Sequence, residues 1–191
     1  LKDVLGIAVF IAAVIIGTTL INAFVFRSYH VVGPSMETTM YTGDRLIVDR
    51  LPVTWANLQG KTYIPERGAI IVFKNPHYSR GIEDEFVVKR VIGLPGERVT
   101  IKDGNYVVYN DQYPDGFNPD EANKGEPGSP TSGTADVVVP EGQIFVSGDH
   151  RQGSFSYDSR NGPNGMGTIP LSDVVGSVSW RIFPFDKIRS F

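Results

Sequence analysis

The chain contains no cysteine, which removes disulfides, thiolate metal sites, iron–sulfur clusters and cysteine nucleophiles together. That absence leaves the compartment open, because an exported protein can do without disulfides. Neither sign of charge dominates: 18 Lys and Arg stand against 21 Asp and Glu, giving a net charge of −3 and a pI near 5.6. The basic footprint of a nucleic-acid binder is therefore missing. No internal repeat is present, no cluster of residues has metal-ligand spacing, and no stretch beyond residue 30 keeps a convincing 3.6-residue period. With 21 glycines and 13 prolines in 191 residues, the chain is a turn-rich domain with one core rather than a helical bundle.

Long apolar runs are also scarce, with one exception that the mean hydropathy of −0.10 hides. Val4 to Phe26 is 23 residues without a charge. As a helix it is about 35 Å long, against a hydrocarbon core of about 30 Å. Thr18, Thr19 and Asn22 are its polar residues. A cleavable secretory signal would have a shorter apolar region and a small-residue cleavage site, and the FVFRSY that ends this run offers none. Residues 4–26 are thus expected to be a retained transmembrane anchor, with residues 1–3 as its flank. One basic residue stands near each end, so the positive-inside rule does not set the orientation.

The rest of the chain predicts an all-β domain, residues 27–191, a compact antiparallel sheet or barrel-like arrangement. Short Val- and Ile-rich runs are punctuated by Gly, Pro and Asp: Arg45–Val48, Ala69–Phe73, Phe86–Ile92, Arg98–Ile101, Asn105–Tyr109, Val137–Val139, Ile144–Ser147 and Gly176–Phe183. Asp103-Gly104 predicts a tight hairpin, and Val53–Leu58 a short helical turn. Asn110–Asp136 has no Val, Ile, Leu or Met and four of the thirteen prolines, so it is expected to be a flexible surface excursion.

Three islands carry reactive groups. The first, Val31-Val32-Gly33-Pro34-Ser35-Met36, sets a serine on a turn whose amides can face an incoming carbonyl oxygen, although an ordinary turn serine fits the same residues. In the second, Phe86-Val87-Val88-Lys89-Arg90-Val91-Ile92-Gly93-Leu94-Pro95-Gly96-Glu97, strand alternation puts Lys89 on the face of Val87 and Val91. A lysine on an apolar face loses proton affinity, and as a neutral amine it can serve a serine hydroxyl as general base. The bland alternative is an edge strand whose lysine snorkels to water. The third island, Ser147 to Arg160, packs two carboxylates, two arginines, His150 and several hydroxyls into one loop.

These islands resemble the bacterial type I signal peptidases, membrane-anchored serine proteases that remove signal peptides from exported preproteins. GPSM after an apolar run, TGDRLIV, VKRVIGLPGE, a GD-x-R loop followed by S-x-D-S-R, and a terminal aromatic-Pro segment occur in family order. The resemblance implies Ser35 as nucleophile and Lys89 as its general base. It implies Ser156 as a hydroxyl bonding the lysine, and Asp149, Asp158 and Arg160 as the residues that hold the loop, with Arg90 following the base. The backbone amide of Ser35 would stabilise the oxyanion. Some members add a hydroxyl at the position occupied here by Gly33, so a second donor must come from elsewhere. Other departures are Thr38-Thr39 for a Pro-Thr pair, His150 for an Asn, and two extra residues before Ser156, which make Ser154 its rival. Met36, Val31 and Val32 are expected to wall a shallow pocket for small side chains.

The implied reaction is peptide hydrolysis through an acyl-enzyme, with no cofactor and no metal. The implied partners are preprotein signal peptides and the lipid bilayer, with a Sec-type export machinery as neighbour and no nucleic acid. The catalytic domain would lie on the extracytoplasmic side of the cell membrane. Three alternatives stand beside this reading. His150 with Asp149 or Asp158 could form a triad with Ser35. LexA-type self-cleaving domains share the dyad but lack an anchor. A non-catalytic anchored β-domain could bind a partner, which would leave Lys89 unexplained.

Overall fold

The computed structural model describes residues 2–79, 84–123, 126–127 and 130–191. Helix α1 spans Lys2–Phe24 and is solvent-facing along its apolar length, as a helix made to meet lipid would be. It stops two residues before the end of the expected anchor. Val25 still bonds back to Ile21, but Phe26 already belongs to strand β1, Phe26–His30. The cause is pairing: Phe26 to His30 align antiparallel with β2, Arg45–Asp49, from Phe26 opposite Asp49 to His30 opposite Arg45. The polar sequence FRSYH carries no apolar alternation that would announce this strand.

Helix α2 covers Leu51–Leu58, with Pro52 in its first turn, where the missing N–H costs nothing. Strands β3 (Ile70–Lys74), β4 (Phe86–Gly93), β5 (Arg98–Lys102), β6 (Asn105–Tyr109), β7 (Asp136–Val138) and β8 (Gln143–Ser147) follow. The short β9 (Ile169–Pro170), the long β10 (Val174–Phe183) and the short β11 (Arg189–Ser190) complete the chain. The large sheet runs β1-β2-β10-β3-β4-β8-β9, with β11 beside β10, and a small sheet runs β6-β5-β7. Every pair is antiparallel. The expected Asp103-Gly104 turn joins β5 to β6, with both residues at positive φ (49° and 75°).

The large sheet curls. Three strands separate β1 from β4, which in a flat sheet would hold them about 19 Å apart. Instead the rings of Tyr29 on β1 and Phe86 on β4 meet edge-on at 5.3 Å. Curling gives β3 an apolar neighbour on each face: Ile70 and Val72 enter one core cluster, and Ile71 and Phe73 another. That double burial explains why this strand reads as a continuous apolar run rather than an alternating one. A third cluster, around Ile92, Val99, Tyr106 and Phe145, joins the two sheets.

The Asn110–Asp136 segment departs from the expected flexible excursion. Phe117 bridges to Val108, Pro119 and Thr131 are buried, and Asp120 pairs with Arg151. Aromatic contacts and a charge pair hold a segment that lacks aliphatic side chains. Residues 124–125 and 128–129 of that segment lie outside the described residues.

Candidate active site

The turn that carries Ser35 leaves the end of β1 and is fixed from beneath. Gly33 adopts φ +90°, a conformation a side chain would resist, and its N–H donates to the Thr42 hydroxyl at 3.0 Å. Glu37 N–H returns to Pro34 O and Met40 N–H to Met36 O. Met36 and Met40 are buried with Val31, Leu46, Val48 and Val72. Met36 is therefore a core residue under the turn and does not wall the groove, which corrects the expectation for it. Thr39, which departs from the family pattern only in its neighbour, is buried and donates its hydroxyl to Asp149 at 2.5 Å.

Lys89 reaches this turn from β4. Its Nζ donates to Ser35 Oγ at 2.8 Å and to Val88 O at 3.1 Å. Among the described residues no carboxylate lies within ion-pair distance of it. Burial pulls its pKa down to about 8; Asp158 and Asp149 oppose that shift from a distance and Arg160 adds to it. The amine is thus poised to lose its proton near neutral pH.

The third island forms a buried ionic frame. Arg90 grips Asp149 with two parallel bonds of 2.8 and 2.6 Å and donates to Gly68 O. Asp158 accepts from Arg160 Nε and Nη2, from Gly148 N–H, and from Ser156 Oγ at 2.7 Å. Burial alone would raise the Asp158 pKa, but these donors, Arg160 foremost, hold it below the ordinary carboxylate range. Arg151, fully buried and not singled out from the sequence, bonds Gly148 O and pairs with Asp120. Gly148 is where the frame touches the turn: a Cβ there would sit 2.3 Å from Ser35 O and 2.2 Å from Ser156 Oγ.

The structure brings Ser156 to the site and leaves Ser154 exposed on the loop. The Ser156 hydroxyl, however, is bonded to Asp158 rather than to Lys89, a correction to the expected contact. Donating to Asp158 leaves the Ser156 oxygen able to accept, but Lys89 Nζ is directed to Ser35 Oγ and Val88 O instead. His150 does not form a triad. Its N–H donates to Ser35 O at 3.0 Å, while its ring stacks on Phe155 and its Nδ1 lies 3.2 Å from Pro34 O.

A groove of about 330 Å³ opens beside the pair, lined by Tyr29, Val31, Val32, Phe86, Val88 and Lys89 among others. Val31 and Val32 line it as expected. Tyr29 and Phe86 were not anticipated, because only the curl of the sheet brings their strands together. Among the described residues, two strand edges bordering the groove are unpaired. β1 pairs on one side only, and the first half of β4 lacks a neighbour opposite β3 until Arg90 meets Ser147 on β8.

A serine hydroxyl held against a desolvated lysine, on a curled antiparallel domain behind a membrane-length helix, is an arrangement able to support serine hydrolase chemistry. Comparison with known proteins gives the particular family. The family described as "Signal peptidase, peptidase S26" matches residues 3–183. Signal peptidase I of Bacillus licheniformis is 36% identical over 190 residues, covering 95% of this chain and 89% of that protein. Signal peptidase I T of Bacillus subtilis (strain 168) is 34% identical over 191 residues, covering 96% and 86%. A solved signal peptidase I from Enterococcus faecalis aligns with TM-score 0.42 and 25% identity over 61% of this chain and 98% of that one. The chain belongs to the signal peptidase family, peptidase S26, and its activity is that of a serine endopeptidase of the signal peptidase I type.

Proposed function

We propose that Ser35 is the nucleophile and Lys89 the general base that cut signal peptides from exported preproteins. The observation that carries this is the 2.8 Å contact between Lys89 Nζ and Ser35 Oγ in a site where burial depresses the lysine pKa. Once neutral, Lys89 accepts the Ser35 proton, and Oγ attacks the scissile carbonyl. The Ser35 N–H, which makes no bond among the described residues, faces the developing oxyanion. The ammonium of Lys89 then gives its proton to the leaving amine. Water deprotonated by the same lysine releases the acyl fragment and regenerates the serine.

The substrate would enter as an extended strand against the open edges of β1 and β4, held by main-chain bonds. In that conformation alternate side chains face the same way, so residues one and three before the cut point into the groove together. A small apolar groove suits Ala at both positions. In a preprotein cleavage assay the chain should cut after the second Ala of Ala-x-Ala and spare bulky residues there, whereas Ser35→Ala and Lys89→Ala should cut neither. Equal cleavage of both peptides would remove the substrate assignment.

The anchor places enzyme and substrate at one bilayer surface. Residues 27–191 would lie outside the cytoplasm, within reach of peptides delivered by a Sec-type machinery, with exposed Trp180, Phe183 and Phe185 toward the headgroups. Protease added to intact spheroplasts should digest residues 27–191. Protection until lysis would reverse the topology.

A further inference from the structure

Among the described residues, two buried side-chain polar atoms lack a hydrogen-bond partner: Arg50 Nε and Tyr29 OH. Arg50 lies where α1 meets the β-domain, whereas Tyr29 lines the peptide groove, its phenol within electrostatic reach of Arg27 and Arg50. An orphaned buried donor costs about 1–3 kcal/mol, and Arg50 Nε points to something that completes it. The same junction holds a cleft of about 560 Å³ lined by Thr18, Thr19, Asn22, Arg27, Ser28 and Arg50.

The electrostatics of the cleft have one sign. Neither Arg27 nor Arg50 forms an ion pair among the described residues, and no carboxylate lines the cleft. Arg50 is held by one arm: Nη1 donates to Asn22 O at 3.1 Å at the end of α1, and its N–H donates to Val25 O. This leaves the edge formed by Nε and Nη2, the edge with which a guanidinium grips two oxygens of a phosphate, without a partner. Arg27 lies over the rings of Tyr29 and Phe86 at 5.2 and 5.1 Å, which steadies its charge at the cleft mouth. The hydroxyls of Thr18 and Thr19 are turned to the helix carbonyls of Val14 and Ile15, so they line the wall without competing for the arginines.

The level of the cleft identifies the ligand. Val4–Phe24 is about 31 Å of helix, one hydrocarbon thickness, so its end and Asn22 lie at the boundary with the headgroups. Arg27 and Arg50 then stand at the depth of the lipid phosphates, and Thr18 about 6 Å deeper, beside the glycerol and upper acyl region. We propose that the junction of α1, β1 and the β2–α2 corner is a binding site for one anionic phospholipid. Its phosphodiester is taken by Arg27 and the free edge of Arg50, and its chains lie along α1. A zwitterionic lipid would bring a third cation to a cleft that already holds two. The site rests on α1 spanning the bilayer, and it adjoins the groove that receives the peptide through Arg27, which packs on Tyr29 and Phe86.

The test uses the full chain in a neutral detergent, titrated with dihexanoylphosphatidylglycerol, dihexanoylphosphatidylcholine or sodium phosphate at constant ionic strength. Thermal unfolding is followed by tryptophan fluorescence. Phosphatidylglycerol should raise Tm saturably, by about 3–6 °C at ten times its Kd, and more than phosphatidylcholine does. Arg27→Gln should weaken that binding about tenfold. Arg50→Lys, which keeps the charge and loses the fork, should do the same, with near-UV circular dichroism checking that each variant is folded. Equal shifts from both lipids, or shifts unchanged in both variants, would overturn the site; a shift from inorganic phosphate equal to that from phosphatidylglycerol would overturn the lipid as its source. Cleavage of a soluble Ala-x-Ala peptide, run alongside, reports on the proteolytic reading alone, so failure of one does not pass for failure of the other.

Discussion

Lys89 and Arg160 are both cations withdrawn from water, 3% and 2% exposed, yet their proton affinities end up shifted in opposite directions. Arg160 spends Nε and Nη2 on Asp158 and Nη1 on the carbonyls of Ser132 and Arg151. Burial alone would lower its pKa, but Asp158 more than compensates and the net shift is upward. Lys89 has a hydroxyl and a carbonyl in place of a carboxylate, and its pKa falls to about 8. Pairing makes a buried charge into scaffold, and withholding a partner makes it into a reagent. The site needs both, because the paired frame fixes the loop whose Gly148 packs against the turn of Ser35.

The largest effect should come from removing the reagent. Ser35→Ala and Lys89→Ala should each lower kcat/KM by a factor on the order of 10⁴ or more while the domain stays folded. Lys89→Met sharpens the contrast, since it removes a cation that folding holds at a cost. The shift from 10.5 to about 8 corresponds to a penalty on the order of 3 kcal/mol below pH 8. The folded state gives up this proton before the unfolded one does. The penalty is therefore complete below about pH 8 and fades as pH rises toward 10.5. Urea unfolding at pH 7 should find Lys89→Met as stable as the parent or more so, and inactive. A strongly destabilised Lys89→Met would mean that the lysine is scaffold after all.

Breaking the frame should do the reverse. Asp158→Asn leaves the Arg160 guanidinium buried opposite a neutral amide and should cost about 3–5 kcal/mol, read as a large fall in Tm. The Asp158 carboxyl is held below its ordinary range, so the stability it contributes is present above that range and is lost as pH falls through its folded pKa. The Tm difference between parent and Asp158→Asn should accordingly shrink in acid. Residual activity per folded molecule should exceed that of Lys89→Ala.

A third measurement separates the two kinds of burial without altering a residue. If Lys89 must be neutral, kcat/KM should climb about tenfold per pH unit below about 8 and level off above it. An optimum near pH 5 would be incompatible with a lysine base.

Much of this contrast was legible in the sequence. Alternation in Phe86–Ile92 already set Lys89 on an apolar face, and the order of the three islands tied it to Ser35. All eight candidate strands exist, with ends shifted by no more than two residues, and the short helix predicted at Val53–Leu58 begins at Leu51. What stayed hidden depends on contacts between distant segments. FRSYH becomes a strand because Arg45–Asp49 is there to pair with it, and Tyr29 enters the groove only through the curl that brings it to Phe86. Met36 looked like pocket because it follows Ser35, but the turn sends it inward. Ser156 matched a pattern position, and that position does not say which neighbouring groups its hydroxyl will bond. Arg151 could have been suspected as a long basic side chain in a loop with two carboxylates, but its partner Asp120 lies 31 residues away.

The smallest effect should belong to His150, and it bears directly on whether a histidine takes any part in the chemistry. The contribution of this residue to the Ser35 turn runs through its backbone N–H, donated to Ser35 O, and His150→Ala retains that bond. What the substitution removes is a ring stacked at 4.4 Å on an exposed Phe155, with Nδ1 near Pro34 O and 3.8 Å from Glu37. Asp149, the acid beside it in sequence, already accepts from Arg90 and Thr39 and has no orientation to lend. The variant should retain kcat/KM within about threefold and lose no more than about 1 kcal/mol of stability, as partly exposed substitutions do. A triad histidine would instead cost about 10⁴-fold and bring activity down to the level of Ser35→Ala. Steady-state cleavage of one Ala-x-Ala peptide by the parent, His150→Ala and Lys89→Ala separates these outcomes by three orders of magnitude or more.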